Sequence, residues 1–222
     1  MRKLQLALDV LPIEEALALT EAVRGYVERI ELGTPFLLEY GMEAVRRFRT
    51  RFPEKELLAD LKIMDAGALE AGAAFAAGAD LVTVLAVTDH ATMRACVQEA
   101  ERCHKAVVAD MICVEEPERV AQELEEMGVF GIAVHTGVDQ QARGRTPLED
   151  VRRLRPVIRR AELSVAGGIG RDTAAEYCRA GAQVLIVGGA IASAPDPAAE
   201  ALAIHKVLHG QHTGPSYPTI RL

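Results

Sequence analysis

The sequence predicts an α/β protein, a single-domain (β/α)8 barrel of the TIM type. Three observations point there. Short apolar runs alternate eight times with longer stretches of helical periodicity. The apolar half of the chain is Ala, Leu, Val and Ile, with only 4% aromatic residues and no Trp. That composition suits strands buried on both faces beneath closely packed helices. Finally, no Gly/Ser linker or shift of composition divides the 222 residues. A doubly wound open sheet is the structural alternative, and the count of eight strand–helix units favours the barrel.

The strand candidates, in order, are Leu4–Leu8, Val27–Leu32, Leu57–Leu61, Leu81–Ala86, Ala106–Ile112, Phe130–His135, Leu163–Ala166 and Val184–Val187. Each is short and aliphatic on both faces. Helical patterns follow them over Ile13–Gly25, Glu39–Phe52, Ala66–Ala77, Asp89–Cys103, Glu115–Met127, Pro147–Arg160, Asp172–Ala180 and Pro195–Leu208. Gly25, Gly78, Gly128 and Gly181 sit where C-caps belong, and Asp172 and Asp196 where N-caps belong. The barrel is expected to fill residues 1–209. The tail 210–222 (GQHTGPSYPTIRL) has no helical face and reads as a flexible end or an arm laid on a partner.

Charge and cysteine usage narrow the function. The net charge is −7 and no run of five or six basic residues occurs, which disfavours nucleic acid and anionic membranes. A phosphate-bearing small molecule stays open, because backbone amides bind phosphate without net positive charge. No apolar run reaches the ~18 residues of a membrane span, and Met1-Arg2-Lys3 leads directly into a strand. Cys96, Cys103, Cys113 and Cys178 form no C-x-x-C pair, so they read as reduced thiols of a cytoplasmic protein.

In such barrels the working groups stand at the C-terminal ends of the strands. There the sequence places Asp9, Glu31, Asp60, Lys62, Asp110 and His135. Any one of them alone reads equally as an N-cap or half of an ion pair; six at one rim point to a site, with Asp9 among its substrate-binding groups. Lys62 lies between Asp60 and Asp65. Strand alternation sets Asp60 and Lys62 on one face about 7 Å apart. A cation so placed stays protonated and can stabilise an oxyanion, or can simply close the strand end as a salt bridge. Glu31 and Asp60, on adjacent strands at one height, offer two hard oxygen ligands of the kind Mg²⁺ takes. His135 is the residue suited to moving a proton at neutral pH, the alternative being a hydrogen-bonded core group. Gly167-Gly168 and Gly188-Gly189 end the last two strands, where barrel loops bind phosphate. The Rossmann spacing fails at Thr173, and no HExxH, GxSxG or Walker A pattern occurs.

The run Ala59-Asp60-Leu61-Lys62-Ile63-Met64-Asp65 resembles the D-x-K-x-x-D motif of the orotidine-monophosphate decarboxylase superfamily. Joined with Leu4–Asp9, Glu31–Pro35, Val134–Gly137, Ala166–Ile169 and Val187–Ile191, it is most similar to the superfamily's 3-hexulose-6-phosphate synthases, over roughly residues 3–208. The resemblance implies Mg²⁺-dependent addition of formaldehyde to ribulose 5-phosphate. It implies Glu31 and Asp60 as metal ligands, Lys62 as enediolate stabiliser and His135 as proton-transfer group. It also implies a homodimer in which Asp65 reaches the neighbouring subunit's site. The sibling 3-keto-gulonate-6-phosphate decarboxylases typically carry Glu at the position of Asp110, an Arg soon after the strand-six His and an Arg in the strand-eight phosphate loop. Here Gly137 and its small neighbours and Gly189 stand in the last two places. A phosphopentose epimerase or isomerase, or a sugar-phosphate sensor, is a more distant reading.

Overall fold

The computed structural model describes residues 2–210, so all but the first residue of the 210–222 tail, and its expected role, lie outside the described residues. Eight parallel strands close into a barrel in chain order: β1 (Lys3–Leu8), β2 (Arg29–Leu32), β3 (Glu56–Ile63), β4 (Leu81–Leu85), β5 (Ala106–Asp110), β6 (Gly131–His135), β7 (Glu162–Ala166) and β8 (Val184–Val187). β8 pairs with β1, so no strand edge is left open. β1 shows the sequence logic. Leu4, Leu6 and Leu8 point outward and are fully buried beneath the helices, while Gln5 and Ala7 face the barrel interior.

The helical ring among the described residues comprises α1 (Ile13–Val23), α2 (Thr34–Arg51), α3 (Gly67–Ala77), α4 (His90–Cys103), α5 (Pro117–Glu126), α6 (Val138–Gln141), α7 (Leu148–Leu154), α8 (Ala174–Ala180), α9 (Gly189–Ala192) and α10 (Pro197–Leu208). Gly78 and Gly181 end α3 and α8 in the left-handed conformation, as the glycine spacing predicts. The Asp196 carboxylate accepts from Ala199 N at 3.0 Å.

Several expectations are corrected. α2 begins at Thr34 rather than Glu39, with Pro35 in its first turn, and it kinks at Gly41, whose φ is +58°. The kink breaks the apolar period, so only the half after Met42 is readable as one face. Asp172 does not cap α8; Thr173 holds the cap position and makes no side-chain cap bond. α1 closes on Arg24, one residue before Gly25. α7 stops at Leu154, with Arg155 as its cap, because Pro156 brings no N–H to extend it. α6 and α9 span four residues each, too short to show a period.

Inside the barrel the side chains form three levels. At the N-terminal floor the Arg29 guanidinium, 1% exposed, bonds Glu56 at 2.9 Å, Glu162 at 2.8 Å and Gln5 at 3.1 Å. Lys3 completes this floor at 2.8 Å from Glu56 and 3.2 Å from Glu162. Leu58, Leu81, Val108 and Ala133 form an apolar middle. The polar level at the C-terminal end opens into the cavity.

Candidate active site

The cavity at the C-terminal mouth has a volume of about 1390 Å³. Asp9, Glu31, Asp60, Lys62, Asp110, His135 and all four of Gly167, Gly168, Gly188 and Gly189 line it. Ten of the eleven sequence-predicted site residues therefore meet in one space. Asp65 is the exception. It is exposed, points its carboxylate at Ala66 N (2.7 Å), and does not line this cavity.

Asp60 is the most heavily engaged group. Its carboxylate accepts from Thr83 Oγ1 at 2.7 Å and Thr34 Oγ1 at 2.9 Å, and it takes a short contact from Lys62 Nζ. Burial alone would raise its pKa, but the Lys62 charge and these three donors bring it below the ordinary carboxylate range. Lys62 reaches this position by an irregular route. Its φ is +49°, a left-handed value unusual for a side-chain-bearing residue, and the β3–β4 register shifts between Ala59 and Ile63. Leu58, Asp60 and Lys62 nevertheless all face the barrel interior, as strand alternation places them. The bend costs about 1–3 kcal/mol and swings the ammonium onto Asp60 and to 3.7 Å from Asp110. Burial pushes the ammonium pKa down, and the facing carboxylates Asp60, Asp110 and Glu31 more than restore it.

Glu31 stands beside Leu58 in the β2–β3 register, so Asp60 lies one inward-facing position further along its strand rather than level with it. The two carboxylates still interact. Burial, then the Asp60 charge, pushes Glu31 up to about 8 against the pull of a bond from Gln5. Asp9 is likewise raised, by burial and by Asp60. Three acidic groups thus press on one another around one cavity, a donor set of hard oxygens that fits a divalent cation such as Mg²⁺.

Opposite them, His135 Nδ1 lies 2.8 Å from Asp110 Oδ2. With Nδ1–H donating to the Asp110 carboxylate, Nε2 carries the lone pair and is left as a base. Asp110 is itself held by Ile112 N at 2.9 Å. The glycine loops form the far wall. Gly167 has φ +120°, and a Cβ there would lie 2.7 Å from the Thr136 carbonyl. Gly188 caps α9, whose first turn presents backbone N–H groups without helical partners. Gly189 has open space where a side chain would project.

Sequence reasoning missed Thr34, Thr83, Gln5 and Arg171, all of which line the cavity. Thr83 and Gln5 were findable as polar residues on inward positions of aliphatic strands. Arg171 follows the strand-seven glycines and pairs with Glu200 from α10, a contact that no local pattern announces.

Residues 2–204 match the family described as Orotidine 5'-phosphate decarboxylase / HUMPS. A 3-hexulose-6-phosphate synthase of Staphylococcus epidermidis is 43% identical over 209 residues, covering 94% of this chain and 100% of the relative. The crystal structure of 3-hexulose-6-phosphate synthase from Salmonella typhimurium superposes with a TM-score of 0.92 at 48% identity, covering 95% of this chain and 100% of that one. A 3-keto-L-gulonate-6-phosphate decarboxylase from Vibrio cholerae aligns at TM-score 0.82 and 28% identity, covering 94% and 98% of the two chains. Barrel, converging carboxylates and near-complete sequence match agree, and the chain belongs to the orotidine 5'-phosphate decarboxylase / HUMPS family.

Proposed function

We propose that the chain joins formaldehyde to D-ribulose 5-phosphate, giving D-arabino-3-hexulose 6-phosphate. The observation that carries this reading is the facing pair of devices in one cavity: the His135–Asp110 dyad at 2.8 Å and the Lys62 ammonium 3.7 Å from the same Asp110 carboxylate. A base beside a fixed cation is what forming and holding an enediolate requires. The relatives at 43% and 48% identity bear the name of this synthase.

The glycine loops after β7 and β8 would hold the phosphate through backbone N–H groups. His135 Nε2 would take a proton from C1 of the pentulose, with Asp110 orienting the ring. Lys62 would stabilise the developing oxyanion at the former carbonyl. The C1 carbon then bonds to the formaldehyde carbon, the carbonyl re-forms, and the formaldehyde oxygen receives the proton held by His135. Glu31 and Asp60 would hold Mg²⁺, which when bound supplies Lewis-acid stabilisation worth several kcal/mol. Asp9 faces the same space and would contact the sugar hydroxyls. In this reading the protein is a cytoplasmic homodimer. Asp65, exposed beside Met64 (53% exposed) and near Leu69 (76% exposed), would work in the partner's cavity.

Incubation with Mg²⁺, ribulose 5-phosphate and formaldehyde should consume formaldehyde and yield a six-carbon phosphate. CO₂ released from 3-keto-L-gulonate 6-phosphate instead would mark the decarboxylase, the second reading, which the 28% relative favours. Pentose interconversion alone would mark an epimerase or isomerase, and binding without turnover a sensor. Asp60→Ala should abolish metal-dependent turnover in a folded protein; a full rate in EDTA would remove the metal from the reaction.

A further inference from the structure

At the end of the barrel remote from the cavity, three metal-binding side chains converge. Glu28 immediately precedes β2, whose other end carries Glu31 into the cavity. His205 lies on α10 and His209 is its C-cap residue, one turn further on. Residues four apart share a helix face. One donor atom from each of Glu28, His205 and His209 lies within 4.8 Å of the other two. His209 Nε2 is 3.7 Å from Glu28 Oε1, and His205 Nδ1 is 3.6 Å from the same oxygen. A tetrahedral ion with bonds of about 2.0–2.2 Å holds its ligand atoms roughly 3.4 Å apart. The Glu28–His209 spacing exceeds that by only a few tenths of an ångström, and one His205 donor lies within 4.8 Å of both.

The surroundings prepare these groups. Glu28 Oε2 accepts from Leu4 N at 2.7 Å, leaving Oε1 to face the two imidazoles. His205 Nδ1–H donates to the Tyr26 carbonyl at 2.9 Å, which fixes that ring and leaves Nε2 as its metal-binding nitrogen. Outer-shell bonds of this sort orient metal ligands. His209 Nε2 is buried and has no hydrogen-bond partner among the described residues. Buried polar atoms are nearly always satisfied, so an unmatched imidazole nitrogen aimed at a carboxylate and a second imidazole needs a partner. Two imidazoles and one carboxylate suit Zn²⁺ and its late-transition-metal neighbours, whereas Mg²⁺ takes oxygen.

We propose that Glu28, His205 and His209 form a structural zinc-class site that clips α10 to the start of β2, separate from the cavity and its Mg²⁺ ligands. The site ties the last helix of the ring to the strand that carries Glu31.

The test is titration of the tag-free, metal-stripped full chain with Zn²⁺ by calorimetry, followed by Co²⁺ with visible absorption. The wild type should bind one Zn²⁺ equivalent and gain several degrees in Tm. It should also show the intense d–d bands of four-coordinate Co²⁺. His209→Ala and Glu28→Gln should weaken that equivalent at least tenfold and cancel the Tm gain. Asp60→Asn, in the cavity, should keep both. Should His209→Ala fail to fold, Glu28→Gln carries the test, because its amide keeps the bond to Leu4 N. No such equivalent in the wild type, its survival in both outer variants, or its loss only in Asp60→Asn would overturn the proposal.

Discussion

His135 illustrates how one contact defines a residue's role. The 2.8 Å bond to Asp110 fixes which ring nitrogen is free. His135→Asn keeps a donor for Asp110 but has no base at the Nε2 position. Exchange of the C1 proton of ribulose 5-phosphate in D₂O should fall about 10²–10⁴-fold, with phosphate-directed binding little changed. Unchanged exchange in an NMR assay would remove His135 as the base. Asp80 gives a second residue-scale prediction, this time for stability. Its carboxylate contacts Arg49, bonds Lys105 at 2.7 Å and accepts from Leu57 N at 3.0 Å. Burial pushes the carboxyl up, and these partners pull it further down, below the usual range. A lowered folded pKa gives stability that is full above the unfolded value near 4 and is lost as the pH falls through the folded one. Asp80→Asn should therefore cost on the order of 1 kcal/mol at pH 7, solvent screening keeping it modest. The deficit should shrink below about pH 4; a gap independent of pH in urea melts would contradict the linkage.

At the scale of elements, α3 and α4 pack closely because α3 is built from small residues. Its first residue, Gly67, leaves no room for a methyl: a Cβ there would lie 2.5 Å from the Thr92 carbonyl and 2.7 Å from Cys96 Sγ. Gly67→Ala should push the two helices apart and destabilise the fold by about 1–3 kcal/mol, seen as a lower urea midpoint at unchanged slope. Wild-type stability in this variant would show that α3 has slack the packing does not suggest. The same element follows the D-x-K-x-x-D run, so its position also sets where Asp65 projects. β3 keeps its two faces through a backbone irregularity. Its regular pairing with β4 ends near Ala59, and the left-handed Lys62 lies beyond that point in direct contact with Asp60.

For the molecule as a whole, Asp65 provides the test of the proposed dimer. It is exposed and absent from its own chain's cavity. If it completes the partner's site, neither Asp65→Ala nor Asp60→Ala alone has a complete site, yet their mixed dimer does. Mixing the two inactive variants after mild dissociation should restore roughly a quarter of the wild-type sites by statistical pairing. No recovery, with mixed dimers demonstrated by mass after isotope labelling of one variant, would place Asp65 outside the partner's chemistry. The ionic floor of Arg29, Glu56, Glu162 and Lys3 is also a whole-molecule feature, since its members come from four strands spread round the barrel. Through Gln5 it extends to Glu31, linking the floor to the acidic rim.

Sequence alone determined the barrel and the rim. Eight aliphatic runs buried on both sides can be satisfied by parallel strands under helices, and charged residues at the ends of such runs must find partners or a ligand. Asp9, Glu31, Asp60, Lys62, Asp110, His135 and the paired glycines were legible for that reason. Tertiary structure decided what those residues do to one another: the register that sets Glu31 beside Leu58, the bend at Lys62, the Asp110–His135 bond and the gathering of Glu28 with His205 and His209. Each joins positions far apart in the chain or depends on a backbone irregularity. Periodicity reports which face a residue takes, whereas closure of the barrel fixes which residues from different strands share that face, and at what distance.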